Sequence, residues 1–396
     1  MTPAPNGPAT QRARKAAVPI APVLSRAGLG LRRGAGVPCL LEGEPYALTG
    51  SGRAALALAL RHLGVGPGDE VLVPAYHCVA MIGPITSLGA TPRFYRMQAD
   101  LSVQLEDLRR RATERTRAVL GVHYFGFIQD LTELRSFCDS TGIALIEDCA
   151  HAFYGERNGT AVGRFGDLAI GSLIKFFPVF DGGCLVSYRR HLSDVELHRN
   201  GVASSLKAAV NMLERGLAFA DSSFWRRVPA AAASLRRVRS GRSAAYIPSA
   251  GEGGFGFDPS QSRRRMTWPS RLVWRLSDQR RLIQRRRGLY AAYLRALADL
   301  PGGRPLYGHL PDGVVPYVFP YVLNDPGVSF DALWNEQIPL YRWEDVAGDV
   351  CPVSSGYRSA LIQFPCHQEL SDEQAAWIIR RASQVLSGPG QSARVA

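Results

Sequence analysis

The sequence has very few lysines. Only three of its 396 residues are lysine, at positions 15, 175 and 207, although lysine and arginine together number 47. Arginine is therefore the default cation of this chain. A lysine kept inside an apolar stretch then points to amine chemistry, because a guanidinium cannot act as a nucleophile. The formal net charge of +13 would suit nucleic acid, a membrane surface or a phosphate-bearing substrate.

Features that mark several other protein classes are missing. The seven cysteines are scattered, odd in number and mostly inside apolar runs, which predicts reduced thiols in a cytoplasmic protein. We find no zinc-ligand spacing, RNA-binding signature or helix-turn-helix pattern, so we predict no nucleic-acid partner and no metal site. No stretch approaches about 18 apolar residues, which predicts no transmembrane segment, and the N-terminus shows no apolar signal-peptide core.

Lys175 lies in the apolar stretch FGDLAIGSLIKFFPVFDGGCLVSY, residues 165–188. Leu168 to Leu173 and Cys184 to Tyr188 are predicted strands, and Asp181-Gly182-Gly183 is the turn between them. A lysine in such a place is disfavoured unless a partner pairs with it or chemistry uses it. Desolvation would lower the pKa of the amine and let it form an imine with a carbonyl. The alternative is a lysine that extends to solvent from a strand end.

A second candidate site precedes the helix predicted from Ala54 to Leu63. Ser51-Gly52-Arg53 is a small-residue turn that leaves backbone N–H groups free at the positive end of the helix dipole. This arrangement is typical of a phosphate site, to which the Arg53 guanidinium could add a bidentate contact. The alternative is a core helix with Ser51 as an ordinary N-cap.

Strands and helices alternate through the first half of the chain. The predicted strands are Glu70–Tyr76, Arg93–Met97, Ala118–Tyr124 and Ile143–Glu147, with amphipathic helices such as Leu131–Thr141 between them. This alternation predicts a parallel-rich α/β sheet. Ligands of such sheets bind at the carboxyl ends of the strands.

Polar and aromatic residues follow two of these strand ends. The loop Tyr76-His77-Cys78 could stack on a planar ligand, or it could form a packed corner. Glu147-Asp148 follows four apolar residues, and Asp148 could pair with a protonated ring nitrogen or could cap a helix. His151, three residues later, could hydrogen-bond a neighbouring ring oxygen.

The second half of the chain differs in character. Residues 189–265 are arginine-rich and include a helical stretch, Ser205–Phe219; their basic face could meet an anionic ligand, a membrane surface or another subunit, or simply be solvated. A helix from Met266 to Leu300 follows, then strands within Val314–Leu323 and a closing helix after Ser371. We predict four regions: a mobile basic tail (1–18), a large domain (19–188), a partly mobile insertion (189–265) and a small C-terminal α+β domain (266–396).

These stretches, in this order, resemble the DegT/DnrJ/EryC1/StrS aminotransferases, sugar-aminating members of the fold type I pyridoxal-phosphate enzymes. The matching pieces are SGRAALALAL and GVGPGDEVLVPAY (51–76), RAVLGVHYFG (117–126), ALIEDCAHAFYG (144–155), GRFGDLAIGSLIK (163–175), DGGCLVS (181–187) and ALIQFPCHQELSDEQ (360–374). The resemblance implies an α/β fold: a large domain with a mostly parallel central sheet flanked by helices, and a smaller α+β domain. It also implies pyridoxal 5′-phosphate and a homodimer with shared active sites.

Position by position, the resemblance implies roles for individual residues. Lys175 matches the lysine that binds the cofactor covalently, and Asp148 matches the carboxylate that keeps the pyridine nitrogen protonated. His151 occupies the place where the family usually has glutamine, near the 3-oxygen of the ring. The implied phosphate-end contacts are Gly52, Arg53, Ala54 and Ser172. The family's ring-stacking aromatic falls at Cys78, so stacking would pass to His77 or Tyr76.

The departures from the family pattern leave the acceptor open. Arg53 stands where the family has threonine, and residues 189–265 have no clear counterpart. We predict transfer of an amino group from glutamate or glutamine to a keto-sugar, nucleotide-linked, in secondary-metabolite or surface-polysaccharide biosynthesis. One alternative is a non-sugar carbonyl acceptor or a dehydratase-like reaction, although related dehydratases would be expected to lack the lysine. Another is a non-catalytic basic binding protein that kept the fold.

Overall fold

A seven-stranded sheet lies at the centre of the larger part of the molecule. The computed structural model describes residues 18–30, 36–189, 191–192, 195–219, 257–343 and 346–388. The strands of the first half are β1 (Tyr46–Thr49), β2 (Glu70–Pro74), β3 (Thr91–Tyr95), β4 (Thr116–Val122), β5 (Ala144–Cys149), β6 (Glu156–Arg157), β7 (Thr160–Ala161), β8 (Leu168–Ser172) and β9 (Gly183–Ser187). The sheet order is β1-β9-β8-β5-β4-β2-β3, and β6 pairs with β7 in a separate hairpin.

The central strands run parallel, as predicted. Strands β8, β5, β4, β2 and β3 pair in parallel, whereas β9 is antiparallel to both of its neighbours. Every residue of β2, β5 and β8 is buried. Helices cover both faces of a parallel sheet, which is why these strands are mostly apolar in the sequence.

Helices and a second sheet complete the described fold. The helices are α1 (Gly52–His62), α2 (Val79–Thr86), α3 (Leu105–Arg111), α4 (Thr132–Thr141), α5 (Val202–Phe219), α6 (Trp268–Leu276), α7 (Gln279–Leu297), α8 (Pro326–Asn335), α9 (Pro352–Ala360) and α10 (Asp372–Leu386). Strands β10 (Gly303–Pro305), β11 (Val318–Leu323), β12 (Tyr341–Arg342) and β13 (Leu361–Pro365) form an antiparallel sheet in the order β10-β11-β13-β12. A 3-10 turn, Leu173–Lys175, follows β8.

One predicted helix is two helices. The sequence predicted a continuous helix from Met266 to Leu300, but α6 ends at Leu276 and α7 begins at Gln279. The break has a local cause, because the Asp278 carboxylate accepts a hydrogen bond from the Arg281 N–H at 2.9 Å and so caps α7. The capping box that opens α10, formed by Ser371 and Gln374, is confirmed.

Residues 18–30, which we call the strap, cross over to the C-terminal part of the chain. The Pro19 carbonyl accepts a hydrogen bond from His367 Nε2 at 2.8 Å, and the Ser25 hydroxyl donates to the Glu369 carboxylate. The Asp278 N–H donates to the Gly28 carbonyl at 2.9 Å. The strap therefore packs against the segment after β13 and the start of α7.

Several regional predictions fall outside the described residues. Nearly all of the predicted tail and residues 220–256 of the predicted insertion are among these, although its helix is confirmed as α5. The four region boundaries stay predictions. Within the described ranges, no helix combines the length and the hydrophobicity that crossing a bilayer requires. All seven cysteines are free thiols.

Candidate active site

Lys175 stands just beyond the carboxyl end of β8. The strand ends at Ser172, and the 3-10 turn carries the lysine past the edge of the sheet. Burial lowers the pKa of the Lys175 amine, and the nearby Cys78 and Asp148 oppose this only in part. The amine nitrogen lies 5.5 Å from the centroid of the Tyr317 ring. This environment favours the neutral, nucleophilic form of the amine.

Asp148 lies near Lys175 because their strands are neighbours. Asp148 in β5 pairs with Ile170 in the parallel strand β8. Burial raises the pKa of the Asp148 carboxyl, while the Ala150 N–H, bonded to Oδ1 at 2.9 Å, and the charge of Lys175 act in the opposite direction. A buried carboxyl with a raised pKa gains most from a cationic partner, since that partner pays back the cost of desolvating the charge.

His151 is a neutral hydrogen-bond donor in the same place. Its ring stacks on Tyr317 at 4.7 Å between centroids and on Phe125 at 5.7 Å. Burial, with the charge of Lys175, lowers the pKa of His151 well below its usual value. Its Nδ1 accepts from the Phe125 N–H at 3.5 Å, so Nε2 carries the proton. An oxygen of a bound ring is a suitable acceptor for that N–H.

The start of α1 meets the end of β8. A Cβ placed on Gly52 would lie 3.5 Å from Ser172 Cβ and 3.9 Å from its hydroxyl oxygen, so the serine adjoins the first helical turn. The Gly52 and Arg53 N–H groups have no partner inside an α-helix because they precede its first hydrogen bond. The Ala54 N–H donates to Ser51 Oγ at 3.2 Å, and the Arg53 side chain is exposed. A phosphate would be bound here by backbone N–H groups and the Ser172 hydroxyl.

The Asp-Gly-Gly turn brings these two elements together. A Cβ on Gly183 would overlap the Ser51 carbonyl, so only glycine permits this approach of β9 to the start of α1. The Asp181 carboxylate accepts from the Thr267 hydroxyl at 2.7 Å and from its N–H at 3.0 Å. The turn thus links the phosphate site to the start of α6.

The predicted stacking residues lie in different surroundings. Tyr76 is stacked on Trp343 at 5.0 Å, and His77 is stacked on Phe94 at 4.7 Å. Cys78 lies within electrostatic range of both Lys175 and Asp148, and burial raises the pKa of its thiol. The structure therefore brings Cys78 to the amine and the carboxylate. A ring-stacking role for Tyr76 or His77 stays a prediction.

Sequence reasoning missed the aromatic residues that pack around His151 from other elements. Phe125, three residues after the end of β4, has a left-handed backbone (φ 58°) and is fully buried beneath His151. The Phe125 carbonyl accepts from the Tyr317 N–H at 2.8 Å. Trp343 lies 5.3 Å from the His151 ring. Only Phe125 had a signal in the sequence, since it follows a predicted strand end.

Glu147, the residue before Asp148 in β5, forms a buried hydrogen-bonded pair with His123. The Glu147 carboxylate accepts hydrogen bonds from His123 Nε2 at 2.9 Å, the Gly163 N–H at 3.1 Å and the Gly166 N–H at 2.6 Å. Among the described residues, Cys149 joins this pair as a group of potential metal ligands within 4.8 Å. Because the Glu147 carboxylate already accepts from three donors, hydrogen bonding accounts for the buried His123–Glu147 pair without a metal ion.

A cleft with about 440 Å³ of empty space opens beside Lys175. It is bounded by the strap, the turn after β8, β11, β12 and the segment after β13. Its lining residues are Ile20, Ala21, Pro22, Ile174, Lys175, Tyr317, Val318, Tyr341, Cys366 and His367. Burial lowers the pKa of His367 to about 3, so this histidine is neutral. Apart from Lys175, the lining therefore carries no charge at neutral pH.

These residues fit the cofactor that the sequence predicted. A helix N-terminus with Ser172 suits a phosphate, buried Asp148 suits a protonated ring nitrogen, and the His151 N–H suits a ring oxygen. The Lys175 amine, whose pKa is lowered by burial, suits a carbonyl carbon. A bound cofactor would explain why the carboxyl of Asp148, the amine of Lys175 and the imidazole of His151 lie close together in the interior.

Part of the chain matches known proteins closely. Residues 40–210 match the DegT/DnrJ/EryC1/StrS aminotransferase family, which confirms the predicted resemblance. The chain is 41% identical over 140 residues to GDP-perosamine synthase of Vibrio cholerae, covering 35% of this chain and 38% of that protein. It is 40% identical over 146 residues to the dTDP-4-dehydro-2,3,6-trideoxy-D-glucose 4-aminotransferase of Saccharopolyspora spinosa, covering 36% and 38%. The chain thus spans about two fifths of the length of these relatives.

Likeness to solved structures extends over most of the chain. The structure of S. venezuelae DesV superimposes with a TM-score of 0.59 at 25% identity, over 87% of this chain and 85% of DesV. The predicted architecture, a fold type I α/β protein with a mostly parallel sheet, is confirmed.

Proposed function

Since residues 40–210 match the DegT/DnrJ/EryC1/StrS aminotransferases, we propose that this chain is a pyridoxal 5′-phosphate-dependent aminotransferase. The observation that carries the proposal is the place of Lys175: its amine has a pKa lowered by burial, beside Asp148 and a helix N-terminus. When bound, pyridoxal phosphate supplies an electron sink that stabilises negative charge on the substrate carbon.

Lys175 is the proposed base and acid. Burial lowers the pKa of its amine and so favours the neutral form, in which Nζ would be able to take a proton from the α-carbon of the amino donor. Once it has taken that proton, the same nitrogen would be the acid that gives it back, and the acceptor half of the reaction would use the base and the acid in the reverse order. The Tyr317 ring, 5.5 Å from Nζ, limits where the amine can move.

Asp148 and His151 are the proposed electronic and orienting groups. The Asp148 carboxylate would accept a hydrogen bond from the protonated ring nitrogen, and this contact would stabilise the charged forms of both partners. His151 would donate from Nε2 to the ring oxygen, because its Nδ1 already accepts from the Phe125 N–H. Gly52, Arg53, Ala54 and Ser172 are the proposed contacts at the phosphate end.

For the substrates we propose glutamate or glutamine as donor and a nucleotide-linked keto-sugar as acceptor. The names of the two relatives support this, since one is a GDP-sugar synthase and the other a dTDP-sugar aminotransferase. The excess of basic residues suits a diphosphate. A non-sugar carbonyl is the second candidate, and the uncharged lining of the cleft beside Lys175 favours it.

We also propose a cytoplasmic homodimer with shared active sites. Seven free thiols support a reducing compartment. The dimer is supported by an apolar face of large exposed side chains on the adjacent helices α5 and α6. The face consists of Val202, Leu206, Val210, Leu213, Trp268, Leu272 and Leu276.

The test of the activity is a single-turnover measurement of the visible absorbance of the loaded protein. We expect glutamate or glutamine to convert the bound cofactor to its amine form, and a panel of nucleotide-linked keto-sugars and plain ketones to restore it. Lys175→Ala should abolish the first conversion, whereas Lys207→Ala, on exposed helix α5, should not change it. Conversion at the wild-type rate by Lys175→Ala would refute the proposal.

A further inference from the structure

Arg286 is a fully buried cation on α7. Its exposed fraction is 0%, whereas the adjacent Arg285 and Arg287 are partly exposed and each form an ion pair with an aspartate. Burial lowers the pKa of Arg286 to about 10, still far above neutral, so the guanidinium remains charged. Burying a charge is costly unless its hydrogen bonds are fully satisfied. The partners of Arg286 therefore decide whether the cost of burying its charge is offset.

The hydrogen bonds of Arg286 converge on the backbone around Lys175. Nη2 donates to the Lys175 carbonyl at 2.9 Å. Nη1 donates to the carbonyls of Pro316 at 3.0 Å and Tyr317 at 3.1 Å. The two residues of the lysine–tyrosine contact, 5.5 Å from Nζ to the ring, are thus bound by one planar group. A guanidinium has a rigid fork of donors, so it fixes the separation of the two carbonyls.

Gln368 extends this arrangement to the next residue of the turn. Arg286 Nε donates to Gln368 Oε1 at 3.0 Å, and Gln368 Nε2 donates to the Phe176 carbonyl at 2.8 Å. The Phe176 ring lies 4.6 Å from the Arg286 guanidinium carbon. The carbonyls of Lys175 and Phe176 are therefore both held by groups from outside the sheet.

We propose that Arg286 is a positioning residue for Lys175. Arg286 acts through the backbone. It fixes the turn after β8 relative to Tyr317 and so keeps the Lys175 amine in its buried position. The reach of the amine toward Asp148 depends on the same contacts. The role rests on the proposed function in one respect, namely that Lys175 is the amine which binds the cofactor.

The pKa of the Lys175 amine tests this without cofactor. The pH dependence of its acetylation by a small reagent, followed by mass spectrometry, reports that pKa in the unloaded protein. In Arg286→Met the turn should loosen, water should reach the amine, and the pKa should rise by about one unit. Arg287→Met is the matched control, because Arg287 also binds carbonyls, those of Pro311 and Val314, but not near Lys175. It should leave the pKa unchanged.

A second variant separates the charge from the fork. Arg286→Lys retains a cation but cannot bind three carbonyls in a fixed plane. It should raise the Lys175 pKa as Arg286→Met does. A wild-type pKa in Arg286→Lys would show that charge alone suffices, which overturns the positioning role.

Gln368→Met covers the case in which neither Arg286 variant folds. It removes one link to Phe176 while leaving the guanidinium, so a smaller rise of the pKa is expected. An unchanged pKa in this folded variant overturns the proposal.

With cofactor added, the rate of imine formation on Lys175 at pH 7 should fall about tenfold in Arg286→Met and stay within twofold in Arg287→Met. If the wild type binds no pyridoxal phosphate, the proposed function fails, while the acetylation profile still decides the role of Arg286.

Discussion

Asp148 and Lys175 each shift the titration of the other, and burial acts on both. Burial raises the pKa of Asp148 and lowers that of Lys175, so each group is pushed toward its neutral form. Their mutual attraction opposes this. In Asp148→Asn the attraction is gone while the shape and the bond from Ala150 remain available. We therefore expect the Lys175 pKa, measured by acetylation, to fall further.

The same variant should be nearly inactive. A charged hydrogen bond to a buried ring nitrogen is worth up to about 3 kcal/mol, which corresponds to about a hundredfold in rate. We expect the single-turnover rate of Asp148→Asn to fall by about that factor. Asp139→Asn, an exposed aspartate on α4, is the control and should be unaffected. Near-normal turnover in Asp148→Asn would remove Asp148 from the proposed mechanism.

Substitutions of His151 test whether its N–H donates a hydrogen bond to the ring oxygen, as the sequence predicted. His151→Gln keeps an N–H donor of similar reach, whereas His151→Leu removes it. A hydrogen bond of about 1.5 kcal/mol predicts that the cofactor dissociation constant rises about tenfold in the leucine variant and less than threefold in the glutamine variant. Equilibrium dialysis measures both. Equal weakening in the two variants would mean that His151 contributes packing on Phe125 and Tyr317, not a donor.

Some site residues could be predicted from the sequence because their signals are local. Lys175 and Asp148 follow predicted strands, and their spacing resembles that of a known family. Arg286 gave no such signal, since it lies in a run of arginines. The periodicity of α7 did contain the information: Arg286 falls on the buried face with Leu282, Ile283, Leu289, Tyr290, Tyr293 and Leu297. A charged residue on an apolar face is the pattern to look for.

At the scale of elements, the loop after β4 is fitted tightly to the segment before β11. Gly126 has a φ of +99°, and a Cβ there would overlap the Val315 carbonyl and lie 2.8 Å from the Tyr317 nitrogen. Gly126→Ala should therefore cost more than about 3 kcal/mol of unfolding free energy, from backbone strain and overlap together. Urea denaturation measures this.

Gly64→Ala is the matched control for the Gly126 prediction. Gly64 also has a positive φ, +74°, but a Cβ there would have open space around it. Only the backbone strain applies, so we expect a loss of about 1 kcal/mol. Equal losses in the two variants would show that the contact with residues 315–317 does not constrain the loop.

The strap is linked to the segment after β13 by a histidine whose titration is measurable. Burial lowers the pKa of His367 to about 3, from 6.5, and its Nε2 donates to Pro19. Between these two pKa values the unfolded chain binds a proton that the folded chain does not. Stability is therefore lost as the pH falls from about 6.5 toward 3, by up to about 1.4 kcal/mol per pH unit.

His367→Gln should remove this part of the acid sensitivity. The glutamine amide can still donate to Pro19 but does not titrate, so the slope of unfolding free energy against pH between 6 and 4 should be shallower than in the wild type. Urea denaturation at several pH values gives the slope, and carboxyl groups contribute equally to both proteins. Parallel slopes would mean that the histidine is protonated in the folded state.

The type of each helix or strand was predicted better than the residues at which it begins and ends. The strands of the large sheet follow their apolar runs, because strands buried on both faces leave a continuous hydrophobic signal. The helix from Met266 was predicted as one piece, because Ser277 and Asp278 interrupt its apolar face for only two positions. The Asp278 cap was visible as a residue type, but only the bond to Arg281 shows that it starts a helix.

In the whole molecule, the site is made by two sheets that are far apart in the sequence. The large sheet supplies Lys175 and Asp148 from the ends of β8 and β5, and the segment before β11 supplies Tyr317. The strap and His367 close the side of the cleft. No local pattern encodes such pairings, because they depend on how the C-terminal part packs on the first.

Within the described residues, the apolar face on α5 and α6 is a surface feature that a single copy of the chain leaves unexplained. Leu206 is 64% exposed and Trp268 is 63% exposed, and the stripe on α5 repeats at the helical spacing Val202, Leu206, Val210. Exposed stripes of this kind mark contacts with another protein. A second copy of the chain would cover the face in both subunits at once.

Leu206→Glu should therefore convert the proposed dimer to a monomer, because a carboxylate buried in an apolar contact is strongly disfavoured. Light scattering at micromolar concentration gives the mass. Lys207→Glu, one residue along and outside the stripe, is the control that changes charge without entering the face.

If each active site is completed by the partner subunit, the Leu206→Glu monomer should also lose at least tenfold in kcat, while its Lys175 pKa in the unloaded protein stays as in the wild type. A fully active monomer would contradict shared sites, and an unchanged mass would show that this face is not the dimer contact.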